Sequence, residues 1–299
     1  MDKLYFVDLV FRAKHEIKSL PDFYGPRFSA WFRTASRELP VEFEDFCLGI
    51  LPFRDGCFPH IKRGDFVKVR LIIGEKGLDV IPLFLNRLVQ TAVEEAQFSS
   101  TSFDLVEVID PVSGKTPTLR DSSVVLSEFN ESLLTKELTV IKYLKYFTVD
   151  FISPLSLLLP PGTKKFDQPE IFRLCREDFF HRFDNGLLHF ANSVRFYDKS
   201  EPNSFFSVPK VFSGELEWNS LKYNKDRKVP MGGLIGYIKA KNGLPDMNLL
   251  ERLVFGQYTG IGKKPRFGLG FYKIRELDCV RDIQLPKTDY LIQGQEYRS

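Results

Sequence analysis

The sequence predicts an α+β protein made of two tandem ferredoxin-like units. In the C-terminal half, segments with the apolar spacing of strands and of helices follow one another in the order β-α-β-β-α-β. This order is the ferredoxin-like pattern. The N-terminal half repeats that order more weakly, with its third element blurred. A chain of 299 residues, 43% hydrophobic and 27% charged, is long enough to bury two cores of ordinary size. This composition excludes a disordered chain, a collagen-like fibre and a coiled coil.

The elements of the N-terminal unit follow from apolar spacing and turn residues. Pro26 occupies a first-turn helix position, and Phe28, Trp31, Phe32 and Ala35 follow it at helical spacing. The segment 39–64 is irregular, with three prolines and an Asp-Gly turn signal. The predicted elements are a strand at Leu4–Lys14, a helix from Pro26, a strand at Phe66–Ile73, a helix at Leu78–Ala96 and a strand at Phe103–Ile109.

A polar, turn-rich stretch separates the two units. Residues 110–136 contain Pro111, Gly114, Pro117 and a cluster of serines and threonines. We interpret the stretch as a hairpin or connector. The predicted domains are therefore residues 1–137 and residues 138–299, the second containing the glycine-rich segment described below.

The C-terminal unit shows the clearer pattern. Its long helix carries apolar residues at helical spacing, and its last helix places Leu249, Leu250, Leu253 and Val254 inward. The predicted elements are a strand at Leu138–Ile152, a helix at Pro169–Val194, strands at Pro209–Trp218 and Leu234–Lys241, a helix at Leu244–Gln257 and a strand at Arg266–Arg275.

Composition also limits the location and chemistry of the protein. No run of about 18 apolar residues occurs, and the N-terminus lacks a basic-then-apolar leader, so we expect a cytoplasmic protein without a membrane span. The four cysteines are scattered without a C-x-x-C pair, and the four histidines lack metal-ligand spacing. We therefore expect neither a disulfide framework nor a structural zinc site, and no cofactor.

One glycine-rich segment near the C-terminus stands apart from the rest. Two G-x-G pairs flank a basic five-residue stretch, and its residues are Gly260, Ile261, Gly262, Lys263, Lys264, Pro265, Arg266, Phe267, Gly268, Leu269 and Gly270. Exposed backbone amides beside three cations suit a phosphate backbone. The segment opens a strand rather than a helix, so it is not a dinucleotide fingerprint, and it lacks the Gly-Lys-Ser/Thr of a P-loop. A glycine-rich turn with a solvated basic tip is the alternative interpretation.

The charge around this segment favours a nucleic-acid partner. Twelve basic and three acidic residues lie between Leu221 and Arg275, whereas the whole chain carries a net charge of only +3. Lys228 and Lys239 belong to this stretch. Aromatic residues are interleaved with the cations, among them Tyr223, Tyr237, Phe267, Phe271 and Tyr272. Cations interleaved with aromatic rings are typical of a groove for single-stranded nucleic acid.

The glycine-rich segment resembles the signature of the RAMP superfamily of CRISPR-associated proteins, and in particular its repeat-cleaving endoribonucleases. Further segments are similar to that family: Tyr24–Ala30, Gly64-Asp65, Phe151–Leu155 and Gly232–Tyr237. The resemblance implies two ferredoxin-like (RRM-like) domains that bind CRISPR repeat RNA. It also implies metal-independent cleavage by the ribose 2′-OH, which leaves a 2′,3′-cyclic phosphate and a 5′-OH.

Such chemistry needs a base for the 2′-OH, an acid for the 5′-oxygen and cations on the developing charge. Many members carry a histidine on or just after the first helix, but the helix from Pro26 has none. His60, in a basic loop, is our first candidate, and His15 is the second. Tyr24, Arg27, Arg33 and Lys62 are candidates for the other roles, because some members use lysine, arginine and tyrosine instead of histidine.

Three functions therefore remain open. The first is the repeat-processing endoribonuclease, and the second is a RAMP module that holds repeat or guide RNA without cutting it. The third, an unrelated enzyme that binds a small anion at the glycine loop, lacks paired carboxylates, a metal cluster or a Ser-His-Asp arrangement in the sequence. Repeat RNA and other CRISPR effector or adaptation proteins are the expected partners of a monomer or homodimer. The expected RNA ligands are Gly260, Gly262, Lys263, Lys264, Arg266, Gly268, Gly270, Lys228, Lys239 and Arg33.

Overall fold

The N-terminal part of the molecule is an antiparallel sheet covered by helices. The structure, a computed structural model, describes residues 3–18, 25–53, 60–92, 98–120, 123–129, 131–155, 209–221, 231–242, 247–261 and 265–277. The elements of the first unit are β1 (Leu4–Ala13), α1 (Gly25–Ser36), α2 (Phe43–Phe46), β2 (Cys47–Phe53), β3 (Phe66–Gly74), α3 (Ile81–Gln90) and β4 (Phe103–Ile109). A 3-10 turn at Glu75–Gly77 leads into α3.

The first sheet has the order β2-β3-β1-β4. The strand that the sequence left blurred is β2, which pairs antiparallel with β3. The spacing after Pro26 does bury Phe28, Trp31, Phe32 and Ala35 of α1. These side chains pack on the face of β1 that carries Phe11, and the rings of Phe11 and Trp31 lie 5.2 Å apart. An aromatic core thus holds α1 against the sheet.

The second unit repeats this topology. After a hairpin of β5 (Thr118–Arg120) and β6 (Ser123–Val125), the elements are α4 (Glu131–Tyr143), β7 (Tyr146–Leu155), β8 (Lys210–Leu221), β9 (Met231–Lys241), α5 (Met247–Thr259) and β10 (Tyr272–Glu276). The sheet order is β10-β7-β9-β8. In both sheets the unit's fourth, first, third and second strands are neighbours in that sequence. The predicted α+β class with tandem ferredoxin-like units is confirmed.

Three element predictions differ most from the structure. Residues 138–143 are the end of α4 rather than the start of a strand, because Leu134, Leu138 and Ile141 form one apolar face against α5. The last strand begins at Tyr272 rather than Arg266, since Gly268 and Gly270 have positive φ. The helix predicted from Leu78 begins at Ile81, with Pro82 in its first turn, and ends at Gln90. The long helix predicted at 169–194 lies outside the described residues.

The two units meet in a shared core, which is distinct from the core between α1 and the first sheet. Phe6 lies on the face of β1 that points away from α1, and its ring packs 5.0 Å from Phe129 and 6.0 Å from Tyr258 of α5. Leu51 and Ile72 belong to the same buried cluster as the second unit's core. The first sheet is therefore covered on both faces in this region. The predicted boundary at residue 137 falls within α4 and stays a prediction.

Among the helices of the described residues, none is both long and apolar enough to span a bilayer.

Candidate nucleic-acid interface

The glycine-rich loop, residues 260–270, is closed at its base by the backbone. The amide of Ile261 donates to the carbonyl of Gly270 at 2.9 Å. Gly270 has φ of +87°, and a Cβ there would lie 1.8 Å from the Ile261 carbonyl oxygen. Only glycine therefore fits at this position. Gly262, Lys263 and Lys264, the tip predicted to bind RNA, lie outside the described residues.

The end of β7 anchors the same loop. The Pro154 carbonyl accepts the amide of Gly270 at 3.0 Å, and the Ser153 hydroxyl accepts the amide of Phe271 at 2.8 Å. Ser153 is almost completely buried, so this side-chain bond is shielded from water. In the sequence, Ser153 and Pro154 stand out only as part of Phe151–Leu155, a segment similar to the RAMP family. Its physical role here is to hold the second G-x-G pair against the sheet.

The other side of the loop contacts the first unit. A 3-10 turn at Pro265–Phe267 carries Arg266, whose Nε donates to the carbonyl of Cys47 at 2.8 Å. A second guanidinium nitrogen of Arg266 donates to the carbonyl of Glu44. These two bonds satisfy backbone carbonyls at the junction of α2 and β2. Arg266 therefore joins the two units through protein contacts.

Arg33, on the last turn of α1, completes this junction. Its guanidinium forms an ion pair with the Glu44 carboxylate and lies 5.1 Å from the centre of the Phe267 ring. Glu44 thus holds Arg33 through its side chain and Arg266 through its backbone. Sequence reasoning missed Glu44, because it lies in the segment that looked irregular. Both arginines predicted to bind RNA are engaged with protein groups.

The burial of Cys47 at this junction has an electrostatic consequence. Its thiol donates to the Gly49 carbonyl at 3.4 Å. Burial raises the pKa of Cys47 to about 12, although the positive charge of Arg266 opposes that rise. The thiol is therefore neutral at physiological pH, and we assign it no chemical role.

The candidate histidines lie on two paired segments at one end of the first sheet. Ile17 and Ile61 exchange backbone hydrogen bonds of 2.8 and 2.9 Å, and Gly64 donates to the carbonyl of Ala13. His15, which is exposed, lies two residues before Ile17, and the half-buried His60 lies one residue before Ile61. Two histidines 45 positions apart in sequence are thereby placed on adjacent segments.

Arg27 belongs to the same end of the sheet. It lies in the first turn of α1, half-buried, with its guanidinium 5.9 Å from the centre of the Phe98 ring. Phe28 beside it packs against Phe98 and Phe103, and Phe103 pairs with Ala13 at the end of β1. Burial lowers the pKa of Arg27. Tyr24 lies outside the described residues.

We call the end of the first sheet that carries His15 and His60 the histidine end. The histidine end and the glycine-rich loop lie against opposite halves of α1. Arg27 and Arg33 are six residues apart, which corresponds to about 9 Å along a helix axis. The same helix thus carries one candidate residue to each region.

The remaining predicted cations have different surroundings. Lys239 lies on β9 opposite Thr148 and Ser213, with its ammonium 5.8 Å from the centre of the Tyr237 ring. Arg252, one of the twelve basic residues between Leu221 and Arg275, is buried in α5. Lys228 lies outside the described residues. Within the described ranges no three histidine, cysteine, aspartate or glutamate side chains are grouped closely enough to hold a metal ion.

No family model matches the chain. A curated protein of Archaeoglobus fulgidus, described as an uncharacterized protein, is 25% identical over 182 residues, which is 59% of this chain. The chain spans only 56% of that relative's length.

The similar solved structures include Cas6 proteins. One chain, from a partial Cas6-RT-Cas1–Cas2 complex, matches 92% of this chain with a TM-score of 0.63 and 12% identity, and 46% of its own length is covered. The match to Thermus thermophilus Cas6 covers 92% of this chain and 99% of the Cas6 chain, with a TM-score of 0.51 and 15% identity. The chain therefore has the fold of Cas6 proteins, with two ferredoxin-like units in tandem.

Proposed function

We propose that this chain is an endoribonuclease that cleaves CRISPR repeat RNA without a metal ion. The observation that carries the proposal is the glycine-rich loop, whose closed base is fastened to β7 and to the first unit within a fold shared with Cas6. A similar structure is a Cas6 product complex, with a TM-score of 0.51 and 15% identity. The excess of basic residues around the loop supports RNA as the ligand.

The proposed reaction is an internal transesterification. A base removes the proton of the ribose 2′-OH, and that oxygen attacks the adjacent phosphorus. The bond from phosphorus to the 5′-oxygen breaks, and an acid protonates the departing oxygen. The products are a 2′,3′-cyclic phosphate and a 5′-OH, so atoms and protons balance without water. Cations near the phosphate stabilise the charge that develops on its oxygens.

The end of the first sheet supplies candidates for each role. We assign the proton transfers first to His60 and second to His15, because imidazole changes charge near neutral pH. Arg27 and Tyr24 are the candidates for contacting the phosphate and orienting the 2′-OH. Lys263 and Lys264 of the loop tip would bind the RNA backbone rather than take part in proton transfer.

A second candidate function is an RNA-binding subunit that holds repeat or guide RNA without cutting it. Two observations favour it. Helix α1 contains none of the chain's histidines, and Arg33 and Arg266 are used in protein contacts. In that case the glycine-rich loop would bind RNA, while the histidine end would have no catalytic role.

Single-turnover cleavage in EDTA distinguishes these functions. The substrate is the repeat RNA of the same genome, beside a copy with a 2′-deoxy ribose at the cut site. We expect cleavage of the first with cyclic-phosphate ends, and none of the second. Binding of both RNAs without cleavage of either would favour the subunit that only binds. Binding of neither would remove RNA as the ligand.

Variants then test the assigned roles. We expect His60→Ala to slow single-turnover cleavage by about 100-fold or more with unchanged affinity, as for loss of a general acid or base. His15→Ala is the matched comparison. Cleavage at the wild-type rate by His60→Ala would remove His60 from the site, and slow cleavage by His15→Ala alone would transfer the role to His15.

The loop tip is tested by its salt dependence. Replacing Lys263 and Lys264 by alanine should weaken RNA binding. It should also lower the slope of log affinity against log salt concentration by about 1.4 in magnitude, which corresponds to the loss of two phosphate contacts to a single strand. Lys76→Ala is the control, because Lys76 is exposed and far in sequence from the loop tip. An unchanged slope in the double variant would mean that the loop tip does not contact phosphates.

The proposed partners extend to other CRISPR proteins. The support is the similarity to a chain of a Cas6-RT-Cas1–Cas2 complex, of whose length this chain covers under half. We propose a cytoplasmic monomer or homodimer, and light scattering after gel filtration, with and without RNA, measures its mass.

A further inference from the structure

One face of the second sheet is turned away from the core. On β7 the side chains of Phe147, Val149 and Phe151 are buried, so those of Tyr146, Thr148 and Asp150 project from the opposite face. The same alternation applies to the other three strands of the sheet, except for a register shift on β8 between Val211 and Ser213. We call this opposite face the outer face, and its described members are Tyr146, Thr148, Asp150, Ile152, Lys210, Phe212, Ser213, Glu215, Ile235, Tyr237, Lys239, Lys241, Lys273 and Arg275. All of them are half-buried or exposed.

Aromatic rings lie on both central strands of this face. In the order β10-β7-β9-β8 the central strands are β7, with Tyr146, and β9, with Tyr237. The Tyr146 ring packs edge-on against Phe212 at 5.8 Å, and Tyr237 stands opposite Glu215. Burial, followed by the charge of Glu215 and a hydrogen bond to it, raises the pKa of Tyr237. Both rings are thus contacted by side chains of the edge strand β8.

Cations accompany these rings. The ammonium groups of Lys145 and Lys239 lie 5.6 Å and 5.8 Å from the ring centres of Tyr146 and Tyr237. Among the described members, the outer face has five cations, Lys210, Lys239, Lys241, Lys273 and Arg275, and two carboxylates, Asp150 and Glu215. The two carboxylates are already engaged, Asp150 by Arg275 at 2.8 Å and Glu215 by Tyr237. The outer face is therefore suited to an anionic ligand.

The pairing register gives the spacing of the site. Tyr237 lies opposite Asp150, and Lys239 lies opposite Thr148. Tyr146 is four residues from Asp150 on β7, so the Cα atoms of the two tyrosines are about 14 Å apart. Lys239 lies between them. RRM domains use a four-stranded sheet in this way, because aromatic residues on the sheet stack two or three bases of single-stranded RNA.

We propose that the outer face binds single-stranded RNA, with bases stacked on Tyr146 and Tyr237 and phosphates bound by Lys239 and Lys241. The choice of RNA as ligand rests on the proposed function, but the surface is separate from the glycine-rich loop. Ser153, which anchors that loop, is seven residues along β7 from Tyr146, or about 23 Å. RNA held at the loop can therefore continue along β7 onto this face.

The test uses an RNA that has neither repeat nor cut site. The full chain is titrated with a fluorescent 12-nucleotide oligouridylate, and anisotropy gives the affinity at several salt concentrations. We expect Tyr237→Leu to weaken binding about tenfold with the same salt slope, because stacking releases no counterions. Tyr237→Phe should bind within about twofold of the unchanged protein, since the ring remains.

The lysines give an independent result. Replacing Lys239 and Lys241 by alanine should weaken binding and lower the salt slope by about 1.4. Phe66→Ala is the matched control, because Phe66 is an exposed aromatic residue of a strand in the first sheet. Thermal unfolding of each variant identifies loss of fold, and if Tyr237→Leu unfolds, the lysine variant decides the question alone.

Several outcomes would overturn the inference. One is wild-type affinity in both Tyr237→Leu and the lysine variant, and another is an equal loss in Phe66→Ala. Competition by a polyglutamate peptide as strong as that by oligouridylate would assign the face to acidic proteins. Cleavage or binding of repeat RNA without any binding of oligouridylate would reject this site alone. Failure to bind either RNA would reject the proposed function as well.

Discussion

At the residue scale, the shape of the glycine-rich loop depends on a missing side chain. Gly270 holds the loop closed because its backbone bonds Ile261 on one side and Pro154 on the other. The sequence identified the G-x-G spacing, but it contained no sign of which glycine is indispensable. That distinction depends on the Ile261 carbonyl, which approaches the position that a Cβ would occupy.

Replacing Gly270 by alanine should therefore lower the free energy of unfolding by more than the strain of a positive φ alone. We expect Gly270→Ala to lower the free energy of unfolding by about 3 kcal/mol, from positive φ and a clash with backbone. Gly114→Ala is the control, because Gly114 also has positive φ but open space around it, and we expect about 1 kcal/mol. Urea unfolding measures both, and equal losses would contradict the steric argument.

A second residue-scale prediction concerns Cys47 and pH. An unfolded cysteine ionises near pH 8.5, whereas the pKa of Cys47 in the fold is raised to about 12. Between these values the unfolded chain releases a proton that the folded chain keeps. This group's contribution is therefore complete below about pH 8.5 and decreases as the pH rises towards 12, by at most about 1.4 kcal/mol per pH unit.

The Cys47→Ala variant isolates that contribution. Its unfolding free energy should fall less steeply than that of the unchanged protein between pH 9 and pH 11, measured in urea at each pH. Parallel pH curves for the two proteins would show that the thiol ionises equally in both states.

At the element scale, periodicity predicted most strands and failed where a tertiary contact decided the outcome. The run of Thr139, Val140 and Ile141 favours a strand by propensity, but packing against α5 keeps it helical. The contact between Arg266 and Glu44 joins residues 222 positions apart, so no local pattern announces it. The paired histidine segments were likewise invisible, because the Ile17–Ile61 bridge links a strand end to a loop.

The 3-10 turn at Pro265–Phe267 should matter for stability as well as for RNA. We expect Arg266→Ala to lower the free energy of unfolding by about 2 kcal/mol, because it leaves the carbonyls of Cys47 and Glu44 without their donor. Arg12→Ala is the control, since Arg12 is exposed and only weakly paired with Asp104. We expect it to change stability by less than about 0.5 kcal/mol. Equal effects in urea unfolding would mean that Arg266 does not join the units.

At the scale of the whole molecule, the shared core couples the two units. Phe6 of the first sheet is buried against Phe129 and Tyr258. Tyr258 in turn donates to Glu137 of α4, and burial together with that bond raises its pKa. The sequence predicted the two units correctly, but not the contact between them. Both faces of the first sheet carry apolar residues, one face for packing against α1 and the other for packing against the second unit, and the sequence does not distinguish these partners.

We expect one unfolding transition for both units. Phe6→Ala should lower the free energy of unfolding by about 4 kcal/mol, and near-UV circular dichroism and tryptophan fluorescence should report the same shifted midpoint. Phe66→Ala, the same change at an exposed position, should shift it little. Two separate midpoints in the Phe6 variant would mean that the units unfold independently.

This two-sided first sheet limits how the molecule can be divided. A fragment that ended with β4 would expose Phe6, Leu51 and Ile72 to water as a contiguous apolar patch, which promotes aggregation. Recombination that exchanged one unit for that of a distant homologue would have to preserve the shape of the opposite surface. The two units therefore form a single structural block, although their topology repeats.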